Sequence, residues 1–517
     1  MNEISHLSVD PNQQQRLAAS PVASVWVSAS AGTGKTKVLT DRVLNLLLTG
    51  TQPQRILCLT FTRAAAAEME SRIADQLGRW TMMAEDILQN TLEELLGEKP
   101  EDQMIQRARR LFAEVLDTPG GMNIQTIHAF CQSLLGRFPL EADVAPHFAL
   151  MDERDAEEML IAAREDLLNR ARGGQDEELA AALAEVTSHI HETQFPDLLA
   201  ELTYARGRLH RLIDHHGDIG AVIENVRSLL SVSADETPDS VITAASENEA
   251  FDELGLRVAI GALLEGNGND AKRGVRIQSW IDNTSRNLES FFDYASIYLT
   301  DLTKASFNVR KTLITKPAAK KSPGVIDILN SEGIRLEQAI WHWRAVSIAK
   351  STSGLLVLGE ALLATYQAQK EERALLDYDD LILLAGELLH REGVAPWVLF
   401  KLDGGIDHVL IDEAQDTSLD QWRVIEALAD EFFAGLGSHE TPRTIFAVGD
   451  VKQSIYSFQG ADPITFGAMR DQFAGRAQAA GQEWRPIDLT VSFRSTQAVL
   501  GAVIAVFSQA QAVDGVT

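Results

Sequence analysis

Apolar and polar positions follow two regimes along the chain. Between residues 22 and 150, short runs of β-formers are followed by stretches whose apolar positions recur every three or four residues. "VASVWVSA" (22–29) predicts a buried strand. The glycine-containing turn after it leads into a helix with Leu39, Val43, Leu46 and Leu47 on one face, ending at Gly50. "RILCLTFT" (55–62) predicts a second strand, followed by an Ala-rich helix with Met69, Ile73 and Leu77 in one row. "MNIQTIHAF" (122–130) predicts a third strand running into a helix. Such alternation predicts a parallel α/β sheet. From about 151 to 366, strand signals become scarce and acidic helical stretches such as "DERDAEEMLIAAREDLLNRAR" take over. Strand signals return with "IDHVLIDEAQD" (406–416), "RTIFAVGD" (443–450) and "RPIDLTVSFRS" (485–495). The pattern predicts one α/β domain split by a mostly α-helical insertion, 151–366.

Composition changes this picture little. Hydrophobic residues make up 45% and charged residues 23% of the chain, ordinary values for a globular protein. No apolar run approaches the length of a membrane span, and the N-terminus lacks the basic and apolar regions of a secretion signal. Cys58 and Cys131 are the only cysteines, so neither a disulfide framework nor a cysteine metal site is indicated. A cytoplasmic protein with no membrane partner is expected. The net charge of −28 argues against nucleic acid, because phosphate binding relies on Lys and Arg. A local basic groove on an acidic body leaves that class open. One basic segment, "NVRKTLITKPAAKKSPG" (308–324), stands against the acidic background, either as a solvated surface loop or as a phosphate contact. The histidines of "HIHETQF" (189–195) and "DHHGD" (214–218) lack the spacing and carboxylate of a zinc helix.

Candidate chemistry begins at Ala29, Ser30, Ala31, Gly32, Thr33, Gly34, Lys35 and Thr36. These fit a phosphate-binding loop with Ala in place of its leading Gly. Gly32 and Gly34 can supply unusual backbone angles, Lys35 would reach the β- and γ-phosphates, and Thr36 would hold Mg²⁺. Asp412 and Glu413 end a strand, where neighbouring side chains point to opposite faces. Asp412 would bind Mg²⁺ and Glu413 would orient and deprotonate a water, unless the pair merely caps the next helix. Gln453, both donor and acceptor, suits contact with a γ-phosphate and a neighbouring domain. Tyr456 and Phe458 are aromatics in a loop at the same sheet edge, or ordinary core residues.

"SAGTGKT", "LTFTRAAAAEM", "TIHAFCQSLL", "LDYDDLI", "VLIDEAQDTS", "VGDVKQSIYSFQGA" and "LTVSFRST" occur in this order. Together they resemble the UvrD/Rep-type superfamily 1 helicases, most closely the AddA-type, RecB-like helicase–nuclease subunits of double-strand-break repair in their alphaproteobacterial form. The likeness runs from about residue 10 to 500. It implies a RecA-like P-loop motor domain, 1–150 with 367–484, and the truncated start of a second, 485–517. It implies ATP and Mg²⁺ as cofactors, 3′ to 5′ movement on single-stranded or duplex-end DNA, and an AddB-like second subunit. By the resemblance, Gln15 and Phe493 contact adenine, while Gln453 and Arg494 act at the γ-phosphate. Thr60, Phe61, Thr126, His128, Tyr456 and Phe458 line the strand path. Arg63, Arg72 and the segment from Arg310 to Lys321 are candidates for phosphate contacts. Gln459 departs from the arginine of many relatives, and Phe493 replaces the commoner tyrosine. The chain stops shortly after Arg494, whereas a second motor domain needs on the order of 100–200 residues. Arginine fingers contribute roughly 10³–10⁵ in rate. This polypeptide alone is therefore expected to hydrolyse ATP poorly, and a truncated, non-motor ATP-binding or interaction protein is the alternative.

Overall fold

Four runs buried on both faces form the middle of one sheet, and two more polar runs form its edges. The computed structural model describes residues 11–174, 176–403, 405–433, 442–454 and 463–508. The strands are β1 (Ser24–Ala29), β2 (Ile56–Thr60), β3 (Asn123–Thr126), β4 (Ala149–Leu150), β5 (Leu375–Leu376), β6 (His408–Ile411), β7 (Thr444–Gly449) and β8 (Trp484–Leu489). Six of them form a parallel sheet in the order β3-β2-β6-β7-β1-β8. Side chains alternate between two cores, as a period of two requires. Trp26, Leu57, Leu59, Val409, Ile411, Ile445 and Ala447 pack on one face, against helices Ile127–Arg137, Tyr378–His390 and Leu419–Asp430. Val25, Val27, Ile56, Cys58, Leu410, Phe446 and Val448 pack on the other, against helices Lys35–Leu48, Arg63–Met82, Glu85–Leu96 and Asp102–Leu116.

Buried polar groups tie the pieces together. Arg42 is 0% exposed and donates to the carbonyls of Ala18, Ser20 and Ala23 and to the Thr444 hydroxyl. Burial, and then the charge of Arg485, push its pKa down to about 9. The helix after β1 is thereby fastened to the segment leading into β1 and to β7.

The chain forms two compact units, 1–156 with 370–517 and 157–369. The insertion therefore begins and ends a few residues later than the expected 151 and 366. The chain leaves and rejoins the first unit beside a two-stranded parallel pair, in which Ala149 faces Leu375 and Leu150 faces Leu376. The expected boundary at 485 falls inside β8. That strand pairs with β1 from Ser24 to Ala29, so the first sheet runs on to Leu489. Nothing in the run "RPIDLT" reveals which sheet receives it, because parallel partners are distant in sequence.

The second unit is helical among its described residues. Its main core gathers Leu256, Ile260, Leu263, Ile277, Trp280, Phe291, Tyr294, Tyr298, Leu329, Leu336 and Ile340. Helix Val325–Glu372, 48 residues long, is by length and composition apolar enough to cross a bilayer, contrary to the expectation that no such run exists. Leu329, Leu336, Ile340, Val346, Leu358 and Leu362 on this helix are buried in the protein, which gives its apolar content a packing role. The basic segment is not a plain loop. Leu313, Ile314 and Ala318 are buried, Lys316–Lys321 is helical, and Thr315 donates through its hydroxyl to the fully buried Asp270 at 2.5 Å.

Candidate active site and an adjoining groove

In a parallel sheet all carboxyl ends lie on one edge, where ligands of open α/β sheets bind. Here the segments that follow β1, β6, β7 and β8 build one cluster of polar groups. Ala29 is the last residue of β1, so its backbone is extended and the leading glycine of the usual pattern is not needed. Gly32 and Gly34 have φ of 78° and 90°, a region L-residues disfavour. A Cβ on Gly32 would also lie 2.6 Å from Arg494 Cβ and 2.8 Å from Ser492 Oγ. Thr33 donates through its hydroxyl to the Ser30 carbonyl at 2.9 Å, closing the turn. Helix Lys35–Leu48 starts directly after it, with its unpaired N–H groups at the loop.

Lys35 reaches across the sheet edge. Its Nζ lies 2.6 Å from Glu413 Oε2, a residue 378 positions away. Glu413 stands just beyond β6 with φ of 48°, a strained left-handed conformation for a residue with a side chain. Gln415 donates to Glu413 Oε2 at 2.8 Å and to Asp416 Oδ2 at 3.0 Å, and its Oε1 accepts from the Asp450 backbone at 2.8 Å. Asp450, at the end of β7, accepts from Gln453 Nε2 at 2.8 Å. Lys35, Glu413, Gln415, Asp450 and Gln453 thus form one continuous chain of polar contacts. Asp412 is held by its own N–H, which donates to the Leu59 carbonyl of β2 at 2.9 Å. Burial and the neighbouring Glu413 push its pKa up to about 6, against the opposing charge of Lys35.

Phe493 and Arg494 follow β8 over the loop. The Phe493 N–H donates to the Gly32 carbonyl at 2.8 Å and its ring is 60% exposed, while Ser492 donates to the Ala31 carbonyl. Gln15, expected to contact adenine, lies against the loop. It is 5% exposed, donates to the Thr33 carbonyl at 3.2 Å and accepts from Lys37. In this structure it buttresses the loop. Tyr456, Phe458 and Gln459 lie outside the described residues.

The other half of the sheet edge, after β2 and β3, carries an open groove of about 160 Å³. Its lining includes Phe61, Arg63, Thr126, His128, Leu150 and Tyr378. Three helices start there: Arg63–Met82 capped by Thr62, Ile127–Arg137 capped by Thr126, and Tyr378–His390 capped by Asp377. Such starts favour anions. His128 meets Tyr378 edge-on, ring centroids 5.6 Å apart, and burial lowers its pKa, which keeps the imidazole neutral. Thr60, expected on the groove, is 3% exposed and turns its hydroxyl to the Thr62 carbonyl, shaping the turn instead. Arg72 is exposed and pairs with Glu68 at 2.5 Å, away from the residues that line the groove. Tyr378 was not singled out by the sequence, although "LDYDDLI" contains it. Gln415 was likewise passed over beside the carboxylates it links.

Comparison with known proteins gives a consistent answer. The UvrD/REP helicase N-terminal domain family matches residues 10–474. The chain is 25% identical to an ATP-dependent helicase/nuclease subunit from Geobacillus thermodenitrificans, over 96% of this chain and 39% of that protein. It is 26% identical to the corresponding protein of Geobacillus kaustophilus, with the same coverage, and 28% identical to that of Pelotomaculum thermopropionicum, over 94% of this chain and 37% of the relative. The chain thus spans about two-fifths of the length of these relatives. With the family match extending across five of the six sheet strands, the loop and the inserted helices, the chain belongs to the UvrD/REP helicase N-terminal domain family.

Proposed function

We propose that this chain is the ATP-binding motor portion of a DNA helicase of double-strand-break repair and recombination. It drives 3′ to 5′ movement along single-stranded DNA, and its sheet is a RecA-like domain split by the helical unit. The observation that carries this reading is the 2.6 Å contact of Lys35 with Glu413, which brings the lysine of the loop to the carboxylate after β6. The donor set suits a magnesium nucleotide: glycines that open the loop backbone, a lysine, a threonine hydroxyl at a helix start, and two carboxylates. Thr36 and Asp412 would hold Mg²⁺, which when bound neutralises charge on the β- and γ-phosphate oxygens.

The chain's own groups then divide the work. The loop N–H groups and Lys35 bind phosphate, and in doing so Lys35 leaves Glu413. The released carboxylate orients water and accepts its proton. Arg494 stabilises charge at the γ-phosphate, and the exposed Phe493 ring stacks on the base. Gln415 and Asp450 tie the state of Glu413 to Gln453. In the groove, Phe61, Tyr378 and neutral His128 offer stacking faces, and Arg63 with the helix starts attracts the backbone, a combination suited to sequence-neutral strand binding. The relatives are named as parts of a helicase/nuclease, which supports an AddB-like protein in the role of partner.

The test, on a chain extended to carry a second motor domain, is single-stranded-DNA-stimulated ATP hydrolysis, with strand displacement on 3′-tailed and 5′-tailed duplexes. Lys35→Ala should lower hydrolysis by about 100-fold or more, in the range of removing a major electrostatic group from a catalytic site. Unchanged turnover in this variant, or displacement only from 5′ tails, would refute the reading.

A further inference from the structure

Lys370 lies on the last turn of helix Val325–Glu372 and is 1% exposed. Its ammonium is 2.6 and 2.5 Å from the two oxygens of Asp380 and 3.4 Å from Asp377 Oδ2. Burying three charged groups is expensive, because each loses water that only good geometry can replace. An apolar cluster of the same volume often stabilises a fold as well or better, so the charges call for another explanation.

The same carboxylates hold the start of the next helix. The Asp377 N–H donates to Asp380 Oδ2, and the Asp380 N–H to Asp377 Oδ1, both at 2.9 Å. This is a reciprocal cap with aspartates in both places. Between them stands Tyr378, the first residue of helix Tyr378–His390, 39% exposed and edge-on to His128 in the groove. Just before it, Leu375 and Leu376 pair with Ala149 and Leu150, and Leu150 lines the same groove. The backbone of Tyr378 is therefore fixed by strand pairing on one side and by the ion cluster on the other.

We propose that Lys370 is a positioning residue for strand binding: through Asp377 and Asp380 it holds the Tyr378 ring in the orientation that receives a base. This rests on the reading of the groove as the strand path. Lys370 itself touches no strand. A stacking ring contributes most when its orientation is set before binding, since ordering it afterwards consumes part of the gain. Two carboxylates locked to one ammonium from different elements set that orientation more narrowly than apolar packing does.

The experiment is a double-mutant cycle, with fluorescence anisotropy of a labelled oligothymidylate and binding of a fluorescent ATP analogue as the two measurements. Tyr378→Ala and Lys370→Met should each weaken oligothymidylate binding by about fivefold or more. The combined variant should be no more than about twofold weaker than the weaker single, because both remove the same contribution. Nucleotide affinity should stay within about twofold throughout, which a general loss of fold would not allow. Lys370→Met/Asp380→Asn, which removes one charge of each sign, should show the same non-additivity with Tyr378→Ala and serves if Lys370→Met alone does not fold. Wild-type strand affinity in the Lys370 variants, or effects that multiply with that of Tyr378→Ala, would overturn the positioning role. If Tyr378→Ala itself leaves strand binding intact, the groove reading has failed, and the proposal with it.

Discussion

The two halves of the sheet edge are built on opposite principles. After β6, β7, β1 and β8 the groups are charged or amide-bearing, and they are chained by contacts between residues far apart in sequence, such as Lys35 to Glu413 and Gln415 to Asp450. After β2 and β3 the lining is largely aromatic and apolar, set around three helix starts. Energy in the first half comes from charge in a partly buried setting, where removing one partner is felt strongly. On the proposed reading, in the second half it comes from stacking, whose contributions per base are smaller. The halves meet at β2 and β6, where Asp412 is hydrogen-bonded to Leu59, one residue before Thr60. On the proposed reading, a sheet of one hand and direction carries a chemical site and a gripping site side by side, joined by the pairing of β2 with β6.

This contrast can be broken most forcefully at Glu413. Glu413→Gln should lower ATP turnover by roughly 10²–10⁴, the usual contribution of a positioned base. Nucleotide affinity should hold or tighten, because Lys35 is released from its ion pair. Oligothymidylate affinity measured in the same samples should not move; if it falls in step with turnover, the two halves are not separable. Tyr378→Ala comes next. It should weaken oligothymidylate binding by about 1–3 kcal/mol while sparing nucleotide binding, as expected for one stacked base.

The smallest effect acts on both halves together. His408 begins β6, is 3% exposed and lies 2.8 Å from the Thr444 hydroxyl. Burial, and then the charge of Arg42, push its pKa down to about 3. The unfolded chain takes up this proton near about pH 6.5, whereas the folded one refuses it. The stability contribution is full above about pH 6.5 and is lost as pH falls toward 3, by up to about 1.4 kcal/mol per unit. Denaturant midpoints at about pH 7.5 and about pH 5.5 should show this loss, and His408→Gln should flatten the slope. An equal slope in the variant would assign the pH dependence to other groups.

Legibility in the sequence follows the same division. The phosphate loop could be read because its chemistry is contiguous: turn, lysine and threonine fall within a few positions. The strands could be read because burial on both faces produces unbroken apolar runs, and the rows Leu39, Val43, Leu46, Leu47 and Met69, Ile73, Leu77 are buried as their spacing predicts. Strand order could not be read, which is why β8 looked like the start of something new. Tyr378 was hidden because an exposed aromatic between two aspartates looks like an ordinary helix start. Gln415 was hidden because a glutamine next to two carboxylates carries no local signature of the residues it joins. Nothing local in the sequence marks Lys370 as buried; its 2.5 Å contact with Asp380 does.

The paired dipeptides at 149–150 and 375–376 have a consequence for how such a protein can change. The chain departs from the first unit and returns to it close to two places that are bonded neighbours. The length and shape of what hangs between them can drift without disturbing strand register, since closing a longer excursion adds little entropy once its ends are pinned. The inserted helices can be remodelled while the paired dipeptides that flank them stay as they are.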